Sequence, residues 1–201
     1  MSFFKNTRKP VGFGGKLMVA MMNVGHSPVA RWGLHFLNAA PDAKVLDCGC
    51  GGGANIRRLL KKYPQGIVKG IDYSPVSVEK SKKVNEAAIA EGRCAVWQGS
   101  VADMMFADGW FDAATAFETV YFWPELPPCF REVYRVLKPG GTFLICNESN
   151  GDSDKDEKWT EIIGGMTIYK DIELKTYLEQ AGFHDVQIHK KKSWLCVTAQ
   201  K

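Results

Sequence analysis

Two aspartates and a run of glycines carry the first chemical information in this 201-residue chain. Asp47 closes the apolar run Ala43–Asp47, and Gly49-x-Gly51-x-Gly53 follows at once. With Ala54 this also satisfies G-x-G-x-x-A, a turn that lets backbone press against a nucleotide-type ligand. The glycines alone leave a second reading open, a tight turn with no ligand. The second acid, Asp72, closes the run Ile67–Asp72. A carboxylate at Asp47 would repel a pyrophosphate in a partly desolvated site and attract a cation. An acid at the end of the next strand, such as Asp72, accepts hydrogen bonds from ribose hydroxyls. An adenosine with a positive, phosphate-free tail suits both acids, and S-adenosylmethionine is such a molecule.

Strand-like and helix-like segments must alternate to position these groups. Ala43–Asp47 reads as a strand. Gly53–Tyr63 reads as a helix, with Ile56, Leu59 and Leu60 at helical spacing. Ile67–Asp72 is the next strand. Ser74 and Pro75 open a helix as N-cap and first helical residue, and it runs to Glu91, before Gly92. Cys94–Gly99 and Trp110–Phe117 are strands. Pro124–Leu137 is a helix, Lys138–Gly141 a turn and Thr142–Asn147 a strand. Strands separated by helices pair in parallel and give a doubly wound sheet, with ligands at the carboxyl ends of the strands.

Beyond Asn147 the pattern changes. Glu148–Lys158 reads as a loop and Asp171–Ala181 as a helix. The apolar runs His184–Ile188 and Trp194–Ala199 are joined by Lys190-Lys191-Lys192, a link short enough to require antiparallel pairing. Before residue 40 the chain holds two short helix candidates, Lys16–Val24 and Ser27–Asn38. The expected organisation is an N-terminal helical cap, 1–40, and a single domain, 41–201, with 148–170 as a cover over the substrate.

Composition sets bounds. With 45% hydrophobic and 24% charged residues the chain suits a soluble globular domain. The formal charge of +4 is small, and the basic residues are scattered, which argues against a nucleic-acid partner. No apolar run spans a bilayer and no secretory signal is recognisable, so a cytoplasmic location without membrane attachment is expected. Of the six cysteines, Cys48, Cys94, Cys146 and Cys196 lie in or beside apolar strand-like runs, as reduced buried thiols do. Cys48-x-Cys50 lacks metal-site spacing. There is no G-x-S-x-G elbow and no His-rich metal motif. No metal is expected.

The segments VLDCGCGGGANIRRLL, GIDYSPVSVEKS, QGSVADMMFADGWFDAATAFETVYFWPE and FREVYRVLKPGGTFLICNE resemble, in order and spacing, the successive motifs of the class I S-adenosylmethionine-dependent methyltransferases. They are most similar to the small-molecule group that includes the ubiquinone and menaquinone methyltransferases. The tail LEQAGFHDVQIHKKKSWLCVTAQK looks like that family's closing helix and strand pair. The resemblance implies a Rossmann-like mixed seven-stranded sheet, mostly parallel with an antiparallel C-terminal strand and helices on both faces.

It also implies roles. Asp47, Gly49, Cys50 and Gly51 would line the methionine and ribose portion of the cofactor. Asp72 would bind the ribose hydroxyls, and Tyr73 would pack near the adenine. Ser100 stands where the family carries an acid for the adenine amino group, with Val101 beside it. A hydroxyl still accepts that bond, without charge assistance. Ala116, Phe117 and Glu118 would face the methionine end. His26, Glu118 and Tyr121 are the candidate catalytic residues, with Phe122 and Trp123 as aromatic contacts. The expected reaction is in-line methyl transfer to a small-molecule acceptor, leaving S-adenosylhomocysteine, by a monomer or homodimer. Two other readings remain open: a nicotinamide-dinucleotide oxidoreductase, and a non-catalytic protein that binds the cofactor.

Overall fold

A computed structural model of the protein describes residues 26–153, 156 and 160–201. The expected helix Lys16–Val24 and Trp159 lie outside the described residues. Seven strands form one mixed sheet in the order β3-β2-β1-β4-β5-β7-β6. They are β1 Lys44–Cys48, β2 Ile67–Asp72, β3 Cys94–Gln98, β4 Phe111–Phe117, β5 Leu137–Asn147, β6 His184–Lys191 and β7 Trp194–Gln200. The strands β1 to β5 pair in parallel, while β7 runs antiparallel to both β5 and β6. The strand order reverses beside β1, which pairs with β2 on one side and β4 on the other.

Side chains alternate across the sheet and build two cores. Leu46, Phe143 and Ile145 face α5 (Leu126–Val136) and α6 (Asp171–Gln180) through Phe130, Val133, Leu174 and Leu178. Val45, Val68 and Leu144 face the other way. They meet α1 (Ser27–Gly33), α2 (Ala54–Lys62) and α3 (Pro75–Val84) through Val29, Ile56, Leu59 and Val78. Lys69 interrupts the apolar pattern of β2, yet its ammonium lies 3.6 Å from the centre of the Trp110 ring and near Trp97 and Phe106. Cation–π contact of this kind tolerates a partly buried lysine.

Several element boundaries differ from the sequence expectation. The helix expected from Pro75 to Glu91 is two, α3 and α4 (Glu86–Ala90), divided at Asn85. The Asn85 amide leaves the helix surface to donate to Gly53 O and Ser81 O, each at 3.0 Å. The Ser27–Asn38 candidate stops at Gly33 and closes with a 3₁₀ turn, Leu34–Phe36. Residues 138–141 form their expected turn as an insertion within β5. Leu137 pairs with Phe111 and Thr142 with Ala113, so these residues bulge out of the ladder. The three-lysine link is shorter than expected, since Lys190 and Lys191 belong to β6 and pair with Leu195 and Trp194. Among the described residues no helix is long and apolar enough to cross a membrane.

The Asn85 bonds tie α3 to the turn that follows β1. Asn85→Ala removes two buried hydrogen bonds, to Ser81 O and to Gly53 O, and leaves the latter with Arg57 N–H as its donor. It should lower unfolding free energy by about 1–3 kcal/mol, read as a fall in the urea midpoint at constant slope.

Candidate functional site

The carboxyl ends of β3, β2, β1 and β4 open into a cavity of about 300 Å³. Its floor is the glycine turn, which hangs from β2. Gly49 and Cys50 N–H both donate to Ile71 O, at 2.8 and 3.1 Å, and Gly51 N–H donates to Asp72 Oδ2 at 2.8 Å. The other Asp72 oxygen accepts from Ser74 N–H at 2.9 Å, at the start of α3. Asp72 thus holds the turn and the next helix while also lining the cavity. A carboxylate oxygen has lone pairs beyond those two bonds. Burial raises its pKa, against the two backbone donors.

The glycines have different physical reasons. All three lie at positive φ, +73° at Gly49, +51° at Gly51 and +80° at Gly53. A Cβ on Gly49 would lie 2.0 Å from Thr119 Oγ1, and one on Gly53 would lie 2.5 Å from Asn85 Nδ2 and Ser81 Oγ. Those two glycines permit close packing of protein on protein. A Cβ on Gly51 would meet nothing within 4 Å, so this residue offers bare backbone to the cavity.

Asp47 lies one residue before the end of β1, fully buried, and is not among the residues that line the cavity. Thr115 Oγ1 donates to its Oδ1 at 2.8 Å, and its Oδ2 has no hydrogen-bond partner. Burial, with a contribution from Asp72, pushes its pKa up to about 7 against Thr115 and Arg58. An unpaired buried carboxylate oxygen is costly. A donor or cation entering the cavity would offset that cost.

Tyr73, Ser100 and Val101 line the same cavity, at the β2–β3 side. Ser100 Oγ already accepts from Ala102 N–H at 3.1 Å, while Asp103 stays exposed and away from the lining. Phe117, Glu118, Phe122, Trp123 and His26 line the β4 side, but Ala116 lies fully buried behind it. Tyr121 also stands behind the wall. Its hydroxyl donates to Ser149 O at 3.4 Å and accepts from Ser149 N–H at 3.1 Å, so these bonds give it the geometry of a loop brace.

Glu118 is the chemically tense residue. Its φ of +56° is left-handed without being glycine, a strain of about 1–3 kcal/mol that surroundings must hold. Its N–H donates to Cys146 O at 3.0 Å, and its Oε1 accepts from Glu148 N–H. Burial and Glu148 push its pKa up to about 8, although His26 opposes. His26 Nδ1 is 3.7 Å from Glu118 Oε2 and 3.2 Å from Glu148 Oε2. These are ion-pair distances without hydrogen-bond alignment, because that nitrogen has no directed partner.

Sequence reasoning missed Asn55, Arg58 and Thr119, which also line the cavity, and Glu148 beside it. Arg58 Nη1 donates to Asn55 Oδ1 at 2.7 Å. Their i,i+3 spacing off the apolar stripe Ile56–Leu59–Leu60 was the available signal. Thr119 Oγ1 accepts from Trp123 Nε1 at 3.2 Å, a pairing that no local pattern announces.

The site therefore fits S-adenosylmethionine on its own chemistry. It has open glycine backbone, an acid in its lining at the end of β2, a second buried acid with an unpaired oxygen near the end of β1, and apolar and aromatic walls. Residues 46–145 match a family model described as a methyltransferase domain. Cycloartenol-C-24-methyltransferase from Arabidopsis thaliana is 32% identical over 157 residues, covering 73% of this chain and 46% of that protein. The chain spans under half the length of the sterol methyltransferases it matches. A Haloferax volcanii protein, solved as a putative methyltransferase with the Trm112 methyltransferase activator, has the same fold. Its TM-score is 0.80 at 20% identity, covering 90% of this chain and 92% of that one. Geranyl diphosphate C-methyltransferase from Streptomyces coelicolor superposes with TM-score 0.74 at 16% identity, covering 96% of this chain and 87% of that one. Through its methyltransferase domain the chain belongs to the class I S-adenosylmethionine-dependent methyltransferases.

Proposed function

We propose that the protein binds S-adenosylmethionine in the glycine-floored cavity and moves its methyl group to a small, largely apolar acceptor. The single observation that carries this reading is Asp72, which lines the cavity and holds the bare backbone of Gly51 through its N–H, with the unpartnered Oδ2 of Asp47 buried in the neighbouring strand. When bound, the cofactor supplies an electrophilic methyl on a sulfonium, which is itself a good leaving group. The protein's work is then to orient donor and acceptor and to exclude water.

In this reading Asp47 balances positive charge at the methionine end, beside Gly49, Cys50 and Gly51. Asp72 accepts from the ribose hydroxyls. Tyr73, Ser100 and Val101 surround the adenine. Phe117, Phe122 and Trp123 offer aromatic faces to the sulfonium and to a flat or hydrocarbon acceptor. Similarity to sterol C-24 methyltransferases supports an acceptor with a large apolar surface. The segment 160–170 serves as a cover over it. Thr167 N–H donates to Tyr121 O at 2.9 Å, which joins that segment to the wall turn. The low net charge supports the absence of a nucleic-acid partner. A soluble cytoplasmic monomer or homodimer completes the proposal.

Three outcomes test it by titration calorimetry and denaturation. Asp72→Ala should weaken S-adenosylmethionine binding by about 1–3 kcal/mol, the loss expected for a hydrogen-bonding charge. An unchanged dissociation constant would remove Asp72 from the site. Gly51→Ala should cost stability by about 1–2 kcal/mol for its positive φ, yet reduce cofactor affinity by far more than Asn85→Ala does. Asp47 has a folded pKa above its unfolded value, so the folded state holds the extra proton between pH 4 and 7. Its contribution to stability is therefore greatest below pH 4 and declines as pH rises through 7. Asp47→Asn should accordingly raise the urea midpoint of the cofactor-free protein more at pH 8 than at pH 4, while weakening cofactor binding. Equal shifts at both pH values would contradict the charge assignment.

A further inference from the structure

Three chain segments that are far apart in sequence converge on one corner of the cavity wall. His26 immediately precedes α1, Glu118 follows β4 and Glu148 follows β5. His26 Nδ1, Glu118 Oε2 and Glu148 Oε2 are the near atoms, at 3.7 and 3.2 Å from the imidazole. The backbone N–H of Glu148 also clasps the other oxygen of Glu118, so the two carboxylates hold a fixed relation. Exposure is graded across the cluster. The side chain of Glu118 is 10% exposed, that of His26 31% and that of Glu148 36%. The cluster thus runs from the cavity wall, which Glu118 and His26 line, outward to solvent at Glu148. Its Nδ1 faces the acids, which leaves Nε2 as the ring nitrogen that can meet a substrate.

We propose that His26 is the base that removes a proton from a hydroxyl acceptor. Glu118 and Glu148 are positioning residues that attract the imidazolium at ion-pair distance, and Glu148 leads the proton to solvent. This inference rests on the methyl-transfer reading above and names its acceptor class, a hydroxyl of phenolic or enolic acidity. The acceptor oxygen forms its bond to the methyl carbon as the carbon–sulfur bond breaks, with that electron pair remaining on sulfur. The hydroxyl proton passes to His26 Nε2. The positive charge lost from sulfur reappears on the imidazolium, flanked by two carboxylates, and Nδ1 then releases its proton toward Glu148. Imidazole is effective here because its proton affinity lies near neutral operating pH. The planar walls of Phe117, Phe122 and Trp123 suit a flat aromatic acceptor.

Electrostatics agree with the geometry. Burial alone would lower the His26 pKa, but contact with Glu148 and Glu118 outweighs it and the net direction is upward. The other titratable groups facing Glu118 are Tyr121 on the wall turn and Cys146 on β5. Burial pushes the Tyr121 phenol up, while Cys196 and burial push the Cys146 thiol up. Both stay neutral across the working range, which leaves His26 and the two carboxylates as the groups that exchange protons.

The test uses the full chain with ring-labelled histidine, saturated with S-adenosylhomocysteine. His26 should titrate above its ordinary value in NMR spectra. Glu148→Gln should lower its midpoint by about one pH unit, a tenfold change in proton affinity, without moving His35, His184 or His189. Methyl transfer is then measured to 4-methylphenol, protonated at neutral pH, and to the readily ionised 4-nitrophenol. His26→Gln should lose about 10²–10⁴-fold in kcat with 4-methylphenol and far less with 4-nitrophenol. Glu148→Gln should shift the acidic limb of the pH–rate profile, and Glu148→Asp should restore it. A His26 midpoint indifferent to Glu148→Gln overturns the proposal. So does methylation of an unsaturated sterol or a tertiary amine but of neither phenol. Micromolar Zn²⁺ binding abolished by His26→Gln would make the cluster a metal site instead and also overturn it. Failure of the wild-type chain to bind S-adenosylmethionine would defeat the methyl-transfer reading itself, a separate result from any of these.

Discussion

The carboxylate of Asp72 is the joint on which the site depends. One oxygen accepts from Gly51 N–H and the other from Ser74 N–H, so a single side chain sets the height of the glycine turn and the start of α3. It can do so because β1 and β2 are in parallel register, with Cys48 opposite Ile71. That register leaves Ile71 O free to receive Gly49 and Cys50 N–H. The end of β2 therefore grips the turn by main chain and side chain together. The turn's remaining face is open backbone, and Asp72 retains lone pairs for a ligand.

A second constraint is electrostatic. Asp72 and Glu118 line one partly desolvated cavity, Asp47 lies buried within the field of Asp72, and burial raises the pKa of each. A fold selected only for stability would avoid this arrangement, because buried unpaired charge is expensive. The same arrangement favours a ligand that carries positive charge and hydrogen-bond donors. Stability of the empty protein and affinity for a cationic cofactor pull in opposite directions here, as they commonly do at functional sites.

The β4 side of the cavity shows how strain is held in place. Glu118 keeps a left-handed backbone because Cys146 O receives its N–H and Glu148 N–H holds its carboxylate. Thr119 fills the space that the missing Gly49 side chain leaves, and it accepts from the Trp123 indole. The glycine turn and the aromatic wall are thus packed against each other through one threonine. A side chain at Gly49 would press on Thr119 and through it on the Trp123 indole.

Periodicity and punctuation in the sequence determined the alternating strands and helices, the antiparallel closing pair, and the placing of Asp47, Asp72 and the glycines at strand ends. These are local properties: apolar spacing, the caps at Ser74 and Gly92, and the short link after β6. Local patterns could not place the break at Asn85, since that break comes from an amide reaching Gly53 across the sequence. They also treated the three glycines alike, although Gly49 and Gly53 answer to Thr119 and Asn85 while Gly51 alone faces open space. The joining of His26, Glu118 and Glu148, the inward turn of Arg58 and the backing position of Tyr121 were decided by tertiary structure. Each depends on which side chains meet after distant segments pack, and a linear pattern of residue types does not encode that proximity.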